Sequence, residues 1–226
     1  MINRILGIAS VHWKQETQVK YLGVNFSDNL KWGPHIQSVV KKANQKLGFI
    51  RRNLRGAPLQ TKQTAYFSLV RSGMEYAAPI WDPHQIGDTK SLQYVQRQAA
   101  RWVKSNYERK PGVVTRLLSE LEWPPLADRR RNAKLILLFK LRTDDIALTF
   151  DDFDIKLAGR DTKAASVIEE DGTITSYKLD PLNANKSPLQ NSTIVSSIPL
   201  WNKLPGDILA LSTTDSFKSA LASRAP

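Results

Sequence analysis

Residues 36–54, IQSVVKKANQKLGFIRRNL, decide the fold class. The apolar residues Ile36, Val39, Val40, Ala43, Leu47, Ile50 and Leu54 recur at spacings of three and four. At roughly 100° per residue they fall in one stripe about 100° wide. A half-buried strand would alternate instead, so the pattern predicts an amphipathic helix whose apolar stripe must be covered by other elements. Gly33-Pro34 punctuates the chain before it, Gly56 closes it, and Pro58 suits the first position of a following helix.

On the C-terminal side the spacing predicts a second helix from Pro58 to about Tyr76, ended by Pro79. A third follows Asp88 as N-cap, with Leu92, Val95, Ala99, Trp102 and Val103 on one face. Three such helices on short connections form a bundle. A short helix over 113–122 is stopped by Trp123-Pro124-Pro125, and a longer one runs from Leu126 to about Leu141, where LILLF is apolar all round and therefore buried. Residues 144–195, acidic and rich in Thr, Ser and Asn, predict loops and short strands, with a strand pair around Gly172. Pattern returns in IPLWNKLP and in TTDSFKSALAS, a capped terminal helix with Phe217 and Leu221 on one side.

On the N-terminal side, residues 5–13 and 18–26 are β-favouring runs separated by KQET, which predicts a hairpin. The expected fold is mainly α, with an N-terminal β-hairpin, a three-helix bundle, further helices and a loop-rich C-terminal segment with short strands. The boundaries fall at 1–33, 34–110, 111–143 and 144–226.

The 226 residues, 41% of them hydrophobic, suffice for a packed core. With no cysteine, disulfides, thiolate metal sites and cysteine nucleophiles are excluded, which suits an intracellular protein. No run approaches the roughly 18 apolar residues of a membrane span, and the N-terminus lacks a signal-peptide pattern. The net charge of +12 lies wholly in the first half: residues 1–110 hold 18 Lys and Arg against six Asp and Glu, the remainder 15 of each. A polyanionic partner fits that balance.

The basic residues are patterned. Lys90, Arg97, Arg101 and Lys104 cluster opposite the apolar stripe of the third helix, a line of cations about 21 Å long that can follow a phosphate backbone. Lys41, Lys42, Lys46, Arg51, Arg52 and Arg55 occupy the non-core surface of the first helix, and no acidic residue stands between Asp28 and Glu75. Surfaces that serve only solubility mix the two signs. Tyr66 and Phe67 could stack on bases, but their helical spacing favours the core.

Enzymatic signals are poor. His12, His35 and His84 lack metal-ligand spacing, and there is neither a Gly-rich phosphate loop nor a GxSxG elbow. The clusters Asp144-Asp145, Asp151-Asp152 with Asp154, and Glu169-Glu170-Asp171 could hold Mg²⁺ in principle, but lie in polar sequence that reads as solvated turns.

Seven motifs, in order, carry a family resemblance: YLGVNFSDNLKWGPHI (21–36), KKANQKLGFIRRNL (41–54), AYFSLVRSGMEYAAPIWDP (65–83), LQYVQRQAARWV (92–103), LLSELEWPPLADRRRNAKLILLFKL (117–141), IPLWNKLPGDI (198–208) and SFKSAL (216–221). The first four resemble the thumb of reverse transcriptases from jockey-like non-LTR retrotransposons, the rest the C-terminal tail of the same polyproteins. Residues 144–190 match only loosely. The resemblance implies that Tyr21, Leu22 and Gly23 belong to a primer-grip hairpin between palm and thumb, with RNA or an RNA–DNA duplex and the palm region as partners. It implies too that polymerisation rests on two Mg²⁺ ions held by palm aspartates in an aromatic-x-Asp-Asp turn upstream of this hairpin. Thr143-Asp144-Asp145 lacks the aromatic residue and follows a helix, so no catalytic residue and no cofactor are expected in this chain. The expectation is a non-catalytic segment that binds template–primer duplex. The alternative is a protein-interaction module from a decayed element, its basic face meeting an acidic partner and its exposed tryptophans forming a docking patch.

Overall fold

A computed structural model describes residues 17–158, 166–168, 174–182 and 192–224. It opens with strand β1 (Gln18–Tyr21) paired antiparallel to β2 (Val24–Ser27), Tyr21 opposite Val24 and Gln18 opposite Ser27. The two-residue turn between them is Leu22-Gly23, with φ of 45° and 84°. Positive φ at both positions gives a turn whose twist matches that of the strands. This corrects the single strand expected over 18–26: the chain reverses inside that run. Glycine takes the left-handed conformation freely, and Leu22 adopts it beside Gly23. The partner expected at 5–13 lies outside the described residues.

Helix α1 (Gly33–Asn53) carries Pro34 in its first turn and buries Ile36, Ala43, Leu47 and Ile50 of the expected stripe together with His35, while Val39, Val40 and Leu54 are half-buried at its margin. The second helical rod is composite. Helix α2 (Leu59–Ala65) passes through a π-helical segment (Tyr66–Arg71) into α3 (Ser72–Glu75). It ends at Glu75, close to the expected Tyr76, but Pro79 is not what stops it: Tyr76 turns extended and Ala77 left-handed with φ 51°. Pro79 sits in the first turn of α4 (Ala78–Trp81), where its missing N–H costs no helical bond. Helix α5 (Ile86–Val103) starts after Gln85. Asp88 is therefore in its first turn and not at its cap, where the carboxylate still favours the positive end of the helix dipole.

Then come α6 (Val113–Glu120), α7 (Leu126–Arg142), the antiparallel pair β3 (Ser166–Ile168) and β4 (Ile174–Ser176), α8 (Thr193–Trp201), α9 (Gly206–Leu209) and α10 (Thr214–Ser223). Thr213 caps α10, its Oγ1 accepting from the Ser216 backbone N–H at 3.3 Å. The chain is mainly helical with an N-terminal hairpin, as expected.

Two apolar cores form. The first gathers β2 and α1 through α6, ending at Leu126. Within it Tyr66 stacks on Trp123 with ring centroids 4.6 Å apart, and the adjacent Phe67 reaches the same indole at 5.3 Å from the π segment. The second gathers the end of α7 with α8, α9 and α10, where Phe139 stacks on Phe217 at 4.3 Å. Arg142 lies over Phe139, Tyr177 and Trp201 and donates to the carbonyls of Leu209 and Leu211, the latter at 2.6 Å.

Helix α7 belongs to both cores, and cations hold it. Arg129 forks onto the Glu75 carboxylate, with Nη2 at 3.0 Å from Oε2. Arg130 Nε donates to Asp82 Oδ1 at 2.7 Å and Lys134 Nζ to Asp82 Oδ2 at 2.5 Å, while Lys134 also reaches Ser196 of α8 at 3.1 Å. Trp81, Trp102, Trp123 and Trp201 are all buried and Trp32 is half-buried, so the described residues hold no tryptophan docking patch. A flat amphipathic indole buries well, and these four supply much of the two cores. Among the described residues no helix is long and apolar enough to cross a membrane.

Candidate nucleic-acid interface

The predicted cations separate into three places. Lys42 and Lys46, on one flank of α1, line a groove of about 190 Å³ together with Gly23, Gly73 and Tyr76. A Cβ on Gly73 would stand 3.5 Å from Lys46 Nζ, an ordinary contact distance, so the ammonium lies directly over this small residue. The hairpin turn is clasped there: Tyr76 Oη donates to the Leu22 carbonyl at 3.0 Å, and a Cβ on Gly23 would meet the Tyr76 ring at 3.4 Å. Tyr21 and Leu22 are exposed beside it. His35 anchors the other side, its Nδ1 accepting from the Asn25 N–H at 3.2 Å with Trp81 edge-on at 5.3 Å. Burial, and then the Lys42 charge, push the imidazole below its ordinary pKa, which suits the neutral acceptor role.

Arg51, Arg52 and Arg55 sit elsewhere, in a cleft of about 790 Å³ where the end of α1 meets α2 and the end of α5. Lys62 of α2 forms its inner wall. This side chain escaped sequence analysis although it stands four residues before Tyr66 and eight before Val70, in register with two buried residues. Its Nζ donates to Ser105 Oγ at 3.3 Å and lies 5.9 Å from the Trp102 ring. Arg51 lies 5.9 Å from the ring of the exposed Tyr107. Among the described residues no carboxylate lines the cleft.

The stripe on α5 is divided. Lys90 and Arg97 are exposed, with no ion-pair partner among the described residues. Lys104 pairs with Glu120 of α6 at 2.7 Å, and that hydrogen bond, helped by the Lys104 and Arg116 charges, holds the Glu120 carboxyl below its usual range. Arg101 donates to the Glu108 carbonyl, closing the loop after α5. Lys41 is exposed on α1 and lines neither cavity.

The carboxylates do not gather. Asp145 accepts from Thr214, Asp152 from the backbone N–H and hydroxyl of Thr149 at 2.8 and 3.2 Å, and Asp154 pairs with Lys156 at 3.1 Å. Glu169, Glu170, Asp171 and His12 lie outside the described residues, and His84 is exposed. Among the described residues no three His, Asp or Glu side chains converge as metal ligands, so they do not fit a two-magnesium centre. Compared with known proteins, the chain matches no family model, no curated protein and no solved structure.

Proposed function

We propose that this chain is a nucleic-acid-binding, non-catalytic portion of a reverse transcriptase of the jockey-like non-LTR kind, and that it holds a template–primer duplex by its phosphates. One observation carries most weight: seven cations between Lys41 and Lys62 form no ion pair among the described residues. Unneutralised cations on one rod and its neighbour attract phosphates through counterion release, an interaction that orients a duplex without reading its bases. Gly23 of the hairpin turn lines the Lys42–Lys46 groove, so a strand lying in it would pass the turn that carries the exposed Tyr21 and Leu22. The Mg²⁺ ions and their aspartates belong, in this proposal, to the palm of the parent enzyme.

The test is charge reversal measured by fluorescence anisotropy on an RNA–DNA duplex. Lys41→Glu, Lys42→Glu and Arg52→Glu combined should weaken binding by more than about tenfold, since each phosphate contact removed flattens the electrostatic contribution. Helical content by circular dichroism should not change, because all three side chains are exposed. Lys90→Glu with Arg97→Glu is the cleaner pair on α5, as Arg101 also anchors a loop. Unchanged affinity in both variants would mean that these cations face no phosphate.

A further inference from the structure

The cleft between α1, α2 and the end of α5 contains a cation unlike the others on this basic surface. Lys62 is 7% exposed, yet among the described residues its ammonium meets only the Ser105 hydroxyl at 3.3 Å and the Trp102 ring at 5.9 Å. An ammonium has three hydrogens to donate, and burying a charge is costly unless an opposite charge accompanies it. The other strongly buried cations, Arg130 and Lys134, share the Asp82 carboxylate. Lys62 has no carboxylate partner among the described residues, and Arg51, Arg52 and Arg55 add three guanidiniums to the same cleft.

A concave site with four cations suits an anion that concentrates several charges in a small volume. A diester inside a strand carries one charge and is tethered on both sides. A terminal phosphate carries between about 1.5 and 2 charges near neutral pH and offers three oxygens. Guanidiniums bind such groups through paired N–H donors, and a lysine supplies the point charge behind them. Tyr107, 54% exposed beside Arg51, presents a ring on which an adjoining base can stack. We infer that this cleft seats a terminal phosphate or diphosphate of a nucleotide or strand end. Only the strand end as source rests on the proposed nucleic-acid binding; the phosphate chemistry does not.

Isothermal titration of the full chain with inorganic pyrophosphate is the direct test. Saturable binding is expected, at least tenfold weaker in Lys62→Gln and Arg51→Gln and unchanged in Lys203→Gln, an exposed lysine outside the proposed binding surfaces. Absence of binding, or binding that survives Lys62→Gln, overturns the inference. Lys62→Met adds a second readout: removal of an uncompensated buried charge should raise the thermal midpoint by about 2–4 °C. A lysine kept only for structure would lower it. Duplexes with a 5′-phosphate or a 5′-hydroxyl then distinguish the sources. A preference of about tenfold for the phosphate, lost in Lys62→Gln, identifies a strand end; pyrophosphate binding without that preference identifies a free nucleotide. Duplex binding without pyrophosphate binding would sink the cleft and leave the proposed function standing, and pyrophosphate binding by a chain that ignores duplex would do the reverse.

Discussion

Two regions of the molecule use cations in opposite ways. Along α7, Arg129, Arg130, Arg131 and Lys134 each have a carboxylate, drawn from Glu75, Asp82 or Asp128. Along α1, α2 and the turn between them the cations from Lys41 to Lys62 have none among the described residues. The contrast extends to acid–base behaviour: the Glu75 hydrogen bond raises the pKa of Arg129, whereas His35, close to Lys42, is held low by burial and by that charge. Similar residue types thus serve cohesion in one region and remain available to an outside anion in the other. Glu75 and Asp82, two of the few carboxylates in the first half of the sequence, are turned toward α7, which leaves the basic face without its own counter-charges.

The largest expected effect breaks the cohesive side. Asp82→Ala leaves Arg130 and Lys134 buried without their carboxylate, which should cost about 3–5 kcal/mol in urea unfolding. A loss below about 1 kcal/mol would mean that the pair contributes no cohesion. A smaller effect is expected from pH. The folded pKa of His35 lies below its ordinary 6.5, so its contribution to stability is present above pH 6.5 and is lost as pH falls below it. The thermal midpoint should decline between pH 7.5 and 5, and His35→Gln should reduce that slope; an identical slope in the variant would place the titrating group elsewhere. Smallest of all, Glu120→Gln releases Lys104 from its surface pair. Stability should be almost unmoved while duplex affinity rises several-fold, converting a committed cation into an available one; an unchanged affinity would show that this end of α5 stays clear of the duplex.

The legible parts of the fold were those set by local periodicity. The stripes of α1 and α5 and the Phe217–Leu221 face of α10 follow from residue spacing alone; those of α5 and α10 are buried throughout, and that of α1 is buried along Ile36, Ala43, Leu47 and Ile50 with half-buried margins. The hairpin turn was hidden because Leu-Gly lacks the Asn-Gly or Asp-Gly signature that marks such a reversal. The ion pairs of the Arg129–Lys134 run leave no mark in the sequence, since Glu75 and Asp82 lie 54 and 48 residues from Arg129 and Arg130. Lys62 shows the same limit: its burial depends on Trp102 and Ser105, which only the packing of α2 against α5 brings near. On the candidate interface, residue type was legible and commitment was not. Arg101 and Lys104 read like Lys90 and Arg97 until α6 and the loop after α5 are in place.

The salt dependence of duplex binding tests most directly whether the unpaired cations of α1 and α2 are a phosphate-binding surface. If about six phosphates are contacted, affinity for an RNA–DNA duplex should fall roughly a thousandfold between 50 and 200 mM monovalent salt, and the combined Lys41, Lys42 and Arg52 charge reversal should flatten that dependence. An affinity that stays constant across this range would contradict the account.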